Sequence, residues 1–327
     1  MKMRFKVGIA CLLLSGSLGV QAQAPLTVVT SFSILQDMTQ VVAGDRAEVK
    51  TLVGANEDPH VYQPKPSDSR LLGQADLVIQ NGLELKGWME RVVEASGYNG
   101  PIVIASEGIE RLKLSEDHHH HDHDHHHHHG FWSFLRFWDR HHHHDHDHHH
   151  HGEYDPHAWQ SLQQAQVYVD NILAGLIQVD PEGEADYRQR ATAYQAELSA
   201  LHEAFIQAFA ALPEQRRRVM VPHDAFAYLG DAYGITFVAP QGISTASEPS
   251  AAELAQLINQ VKDESVAALF MENIGDPRLI QQVERETGAR VGGVLYSDAL
   301  SGPQGRAATY LDMMQHNLQT LLQALEL

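Results

Sequence analysis

From Leu26 onward, short apolar runs alternate with longer amphipathic stretches. Leu26 to Thr30, Ala47 to Val53, Leu77 to Gln80 and Ile102 to Ala105 read as strands, and Ile34 to Val42 reads as a helix by its three- and four-residue apolar spacing. The order returns near the other end. Arg218 to Pro222, Ile235 to Ala239, Ala267 to Glu272 and Val291 to Leu295 read as strands, with helical patterns over Ser250 to Lys262, Pro277 to Thr287 and Ala307 to Leu325. Strands alternating with helices predict βα units around mainly parallel sheets, here in two α/β lobes.

Between the lobes, Ala191, Tyr194, Leu198, Leu201, Phe205, Phe209 and Leu212 recur at steps of three and four, and no Pro or Gly interrupts Glu184 to Leu212. A single helix of that length spans about 43 Å at 1.5 Å per residue. It predicts one long, rigid connector, which limits hinge motion compared with flexible crossovers. His202 falls within it and is expected to pack or face solvent. The expected division is an N-terminal lobe over 23–181, the connecting helix over 182–212 and a C-terminal lobe over 213–327.

The first residues add a location. Lys2, Arg4 and Lys6 precede an apolar stretch from Val7 to Val20, and Val20-Gln21-Ala22 offers short side chains for cleavage. About 14 apolar residues fall short of the roughly 20 that a spanning helix needs, so residues 1–22 are expected to be a cleavable signal peptide and the product periplasmic. Cys11 is the one cysteine and leaves with that peptide, which excludes disulfides and thiolate metal sites from the mature chain. A formal charge of −19 disfavours nucleic acid as a partner and favours cations.

Composition changes most between Glu116 and Glu153, where nineteen of the 24 histidines lie in two runs, 118–129 and 141–151, broken only by aspartate. Lobe-like sequence flanks the segment on both sides, so it is an insertion. Almost wholly polar, it has no apolar burial to offset its chain entropy and is expected to be disordered. Imidazoles beside carboxylates hold divalent ions, which predicts additional weak metal sites there.

A defined site needs residues that folded elements hold apart at fixed distances. His60 lies just beyond the second strand, His157 at the entry of a helical pattern, His223 after Val219-Met220-Val221-Pro222, and Asp298 after Val294-Leu295-Tyr296-Ser297. In open α/β folds ligands bind beyond the carboxyl ends of strands. Pro59 and Pro156 restrict the backbone directly before two of the imidazoles. Three nitrogens and one carboxylate make a four-coordinate shell suited to Zn²⁺.

Four stretches carry a resemblance: Glu57-Asp58-Pro59-His60-Val61-Tyr62-Gln63-Pro64-Lys65-Pro66-Ser67-Asp68, Ala75 to Gly82, Asp155-Pro156-His157-Ala158-Trp159, and His223 to Leu229. Together the chain resembles the periplasmic zinc-binding components of ABC importers, the metal-specific solute-binding proteins whose lobes are joined by one long helix. The resemblance implies a metal site in the cleft between the lobes with His60, His157 and His223 as ligands. It leaves the fourth place to Asp298, to Glu57 or to water. It implies Zn²⁺ as the transported ligand at one tight site, and a monomer that delivers it to a membrane permease driven by a cytoplasmic ATPase. A periplasmic zinc buffer or chaperone is the alternative. A zinc hydrolase is disfavoured by the absence of a His-Glu-x-x-His pair.

Overall fold

The strand-like runs assemble into two four-stranded sheets of the same topology. A computed structural model describes residues 24–83, 85, 87–114, 153–243, 245, 249–263 and 266–326. The first lobe holds β1 (Leu26–Phe32), α1 (Ser33–Ala43), β2 (Ala47–Val53), α2 (Pro66–Leu72), β3 (Leu77–Gln80), α3 (Trp88–Ser96), β4 (Ile102–Ile104) and α4 (Leu162–Val179). Then comes α5 (Glu184–Ala210), and the second lobe holds β5 (Arg218–Met220), α6 (Ala227–Tyr233), β6 (Thr236–Val238), α7 (Ala251–Asp263), β7 (Ala268–Glu272), α8 (Arg278–Thr287), β8 (Val291–Leu295) and α9 (Tyr310–Glu326). Strand orders are β2-β1-β3-β4 and β6-β5-β7-β8, and every pairing among them is parallel. In each sheet the chain leaves the first strand to one side and returns on the other, which opens a crevice at the carboxyl ends.

Helix α5 is the long connector. Tyr187, Ala191, Tyr194, Leu198, His202, Phe205 and Phe209 form its buried stripe, at steps of three and four. It stops at Ala210, two residues short of the predicted Leu212, because Pro213 has no N–H to continue the helix and the chain turns ahead of it. His202 packs inside, with Nδ1 3.1 Å from the Tyr233 hydroxyl.

One apolar cluster runs through both lobes. Phe32, Leu35, Trp159, Tyr168, Phe226, Tyr310 and Leu318 all belong to it and are buried. A smaller cluster of Met220, Leu257, Val261, Leu269, Ile280 and Val283 sits between the second sheet and α7 and α8. Because the larger core crosses from lobe to lobe, their separation would expose apolar side chains as well as bend the connector.

The signal segment and both histidine runs lie outside the described residues. What precedes and follows the insertion is described. Leu114 N–H donates to the Glu153 carbonyl at 3.2 Å and Asp155 N–H to that of Leu112 at 3.0 Å, with Lys113 and Tyr154 paired antiparallel between them. This short ladder closes the stem of the insertion two residues before His157.

Candidate metal centre

His60, His157, His223 and Asp298 converge between the lobes, with one ligand-type atom from each lying within 4.8 Å of all the others. The first two come from the N-terminal lobe and the last two from the C-terminal lobe. His60 Nε2 is 3.1 Å from His157 Nε2 and 3.4 Å from Asp298 Oδ2. His223 Nε2 is 3.1 Å from Asp298 Oδ2, and His157 Nε2 is 3.5 Å from Asp298 Oδ1. All four side chains are buried, and Asp298 Oδ1 is a buried oxygen with no hydrogen-bond partner among the described residues. Two ring nitrogens facing at 3.1 Å and an orphaned carboxylate oxygen fit a cation better than they fit each other. Glu57 stands outside the cluster. Its Oε2 accepts the Gly54 N–H at 2.8 Å and its side chain is exposed.

The local sequence explains how each imidazole is presented. Asp58-Pro59-His60 and Asp155-Pro156-His157 are the same tripeptide, and in each the aspartate Oδ1 accepts the histidine N–H, at 2.7 and 2.9 Å. That is an Asx turn, a tight reversal that aims the ring inward. The Pro59 carbonyl accepts Trp88 Nε1–H and the Pro156 carbonyl accepts Asn81 Nδ2–H, both at 3.0 Å, while Tyr168 holds the Asn81 Oδ1 at 2.8 Å. His223 follows β5, whose neighbour β7 ends at Glu272, and Glu272 Oε1 accepts the His223 N–H at 3.2 Å.

Carboxylates also sit behind two of the rings. Asp155 Oδ1 is 2.6 Å from His157 Nδ1, and Glu272 Oε2 is 2.5 Å from His223 Nδ1. A carboxylate on Nδ1 leaves Nε2 as the metal-facing atom, fixes the ring and raises its basicity. The sequence alone does not mark either residue as part of the site. The repeated Asp-Pro-His tripeptide was a usable signal for Asp155; Glu272 gave none, since it meets His223 only through strand pairing.

Burial and charge oppose each other across the cluster. Burial lowers the His60 pKa, and the pull of Asp298 does not offset it. At His157 burial also presses down, but Asp155 and Asp298 outweigh it and the pKa rises. His223, between Glu272 and Asp298, is held well above the ordinary histidine value despite its burial. Burial alone would raise Asp298; His223 and His157 hold it well below the usual carboxylate range. The site is thus built for a net positive charge at its centre.

The family of the periplasmic zinc-uptake complex component A, ZnuA, matches residues 28–324. The chain belongs to that family. It is 30% identical over 300 residues to the manganese-binding lipoprotein MntA of Halalkalibacterium halodurans, covering 92% of this chain and 88% of that protein. It is 29% identical to the iron-binding protein YfeA of Yersinia pestis, over 90% of this chain and 84% of the other. The solved structure of the periplasmic zinc-binding protein TroA of Treponema pallidum superposes with a TM-score of 0.77 at 28% identity, covering 92% and 99% of the two chains. Membership makes this chain a periplasmic metal-binding receptor of an ABC importer rather than an enzyme, with a permease and an ATPase as its partners in transport. The relatives are named for different metals, so kinship alone leaves the ion open.

Proposed function

We propose that this receptor carries Zn²⁺, bound by His60, His157, His223 and Asp298, from the periplasm to the permease of a zinc importer. The observation that carries the reading is the third imidazole. With His223 in place the cluster offers three nitrogens and one carboxylate. Manganese and iron(II) favour harder oxygen ligands and higher coordination, whereas a compact N₃O shell suits zinc. Asp298 is the fourth ligand in this account, and Glu57, turned to its own loop, is not. The receptor acts as a monomer that presents its closed, loaded form to the permease, while the ATPase on the far side of the membrane drives release and import.

The histidine runs serve this site as a loose collector. Their stem ends two residues from His157, so ions held on the insertion stand at high effective concentration beside the tight site. Calorimetric titration of a variant lacking residues 118–151 tests both parts. One tight zinc per chain should persist, with the weak sites gone and loading slower when zinc is scarce. Loss of the tight ion would make the insertion the primary binder and leave the cleft without a part in zinc capture.

A further inference from the structure

In all four candidate ligands the peptide carbonyl immediately before the ligand accepts a hydrogen bond. Pro59 is held by Trp88, Pro156 by Asn81 and Pro222 by the Gln241 N–H at 3.1 Å, each from within its own lobe. Ser297, before Asp298, is held from the opposite lobe. Its carbonyl accepts Trp159 Nε1–H at 2.8 Å and Gln160 Nε2–H at 2.6 Å, both from the turn that carries His157. Gln160 Nε2 also reaches the Tyr296 carbonyl at 3.2 Å. The Tyr310 hydroxyl grips the same turn through the Trp159 carbonyl at 2.5 Å.

We propose that Gln160, with Trp159, is a positioning residue that delivers Asp298 to the metal, so that the fourth ligand is in place only while the two lobes are together. This rests on the reading of the cluster as the metal site. Gln160 is fully buried and its Oε1 has no hydrogen-bond partner among the described residues. Burying an amide with one end unpaired is unfavourable, and a leucine or methionine would fill the space without that cost. The amide nitrogen therefore has a use that offsets it, and the atoms it reaches are the two carbonyls leading into Asp298. The three imidazoles are anchored by their own lobes and survive separation as two plus one. When the His157 turn withdraws, the Ser297 carbonyl loses both its donors, and Asp298 keeps only the contacts of its own lobe, Asn317 Nδ2–H on the Tyr296 carbonyl at 2.7 Å and His223 Nε2 at 3.1 Å from its own Oδ2. Opening then weakens the site first at Asp298, which gives the permease a route to release that does not require pulling three nitrogens off the ion at once.

Gln160→Met removes the donor and keeps the volume. Zinc affinity should fall about tenfold or more, the range seen when groups that support metal ligands are removed. The absorption of Co²⁺ bound in place of zinc should shift toward the spectrum of Asp298→Ala. In an Asp298→Ala background, Gln160→Met should change affinity less than twofold, because its effect passes through that carboxylate. A melting curve of the metal-free protein confirms folding; should Gln160→Met not fold, Trp159→Phe keeps an aromatic ring against Phe32 and removes the N–H together with the five-membered part of the indole. Equal losses in both backgrounds, or an unchanged Co²⁺ spectrum and affinity within twofold of the parent, would overturn the positioning role. Were Asp298→Ala and His223→Ala both to leave tight zinc binding intact, the site assignment itself would fail instead.

Discussion

At the residue scale, the carboxylates behind the rings distinguish this cluster from four polar groups that happen to meet. Asp155→Asn and Glu272→Gln keep shape and remove the charge against Nδ1. Each should lower metal affinity by about 10- to 100-fold, measured by competition with a chromophoric chelator. Because Asp155 and Asp298 raise His157, and Glu272 and Asp298 raise His223, both imidazoles bind protons readily in the empty site. Metal must displace those protons, so affinity should drop as pH falls. Calorimetry in buffers of different ionisation enthalpy should show net proton release on metal binding; no release would mean that the rings are neutral beforehand. His60, His157, His223 and Asp298 could be picked from the chain because each follows or precedes a recognisable element. Glu272 could not, because its partner is 49 residues away and only the pairing of β5 with β7 joins them.

At the element scale, the helices carry two testable costs. Asp37 on α1 accepts the Tyr310 N–H at the start of α9, tying the two lobes together, and burial pushes its pKa up to about 6. An acid whose pKa is higher in the folded state than its unfolded 3.8 favours folding when protonated, so this contribution is present at low pH and is lost as pH rises from about 4 to 6. Asp37→Asn should therefore stabilise the metal-free protein by about 1–2 kcal/mol above pH 7, after allowance for partial solvent access, and the gain should vanish near pH 4. Denaturant midpoints at the two pH values measure it. Gly175 lets α4 lie against Val103 of β4 and Leu77 of β3, where a Cβ would collide with the Val103 side chain. Gly175→Ala improves helix propensity by roughly 1 kcal/mol yet should lower stability, because overpacking costs about 1–3 kcal/mol. A raised midpoint would mean that α4 shifts freely. The strands and the long helices were readable from apolar period alone, down to Val291–Leu295 with its observed bounds. The short helices α2, α3 and α6, of seven, nine and seven residues, are not legible in the sequence, because so few residues complete barely two turns of a period.

At the scale of the whole molecule, two lobes of identical topology share one apolar core and place two ligands each at a common point. The parallel lobes and the long connector followed from the order of runs along the chain. The meeting of β2, β5 and β8 exits with the His157 turn did not, since nothing in the order of elements states how the lobes face each other. That facing sets the chemistry, because neither lobe alone supplies more than two of the four groups. The histidine runs suggest metal more loudly than the cleft does, yet among the described residues it is the cleft that offers such groups fixed by folded structure. The most direct measurement is anomalous scattering from crystals of the protein lacking residues 118–151, grown with equimolar zinc and manganese. A single strong peak at the zinc edge is expected, bonded to His60, His157, His223 and Asp298. A manganese-edge peak there, or zinc bound without His223 or Asp298, would contradict it.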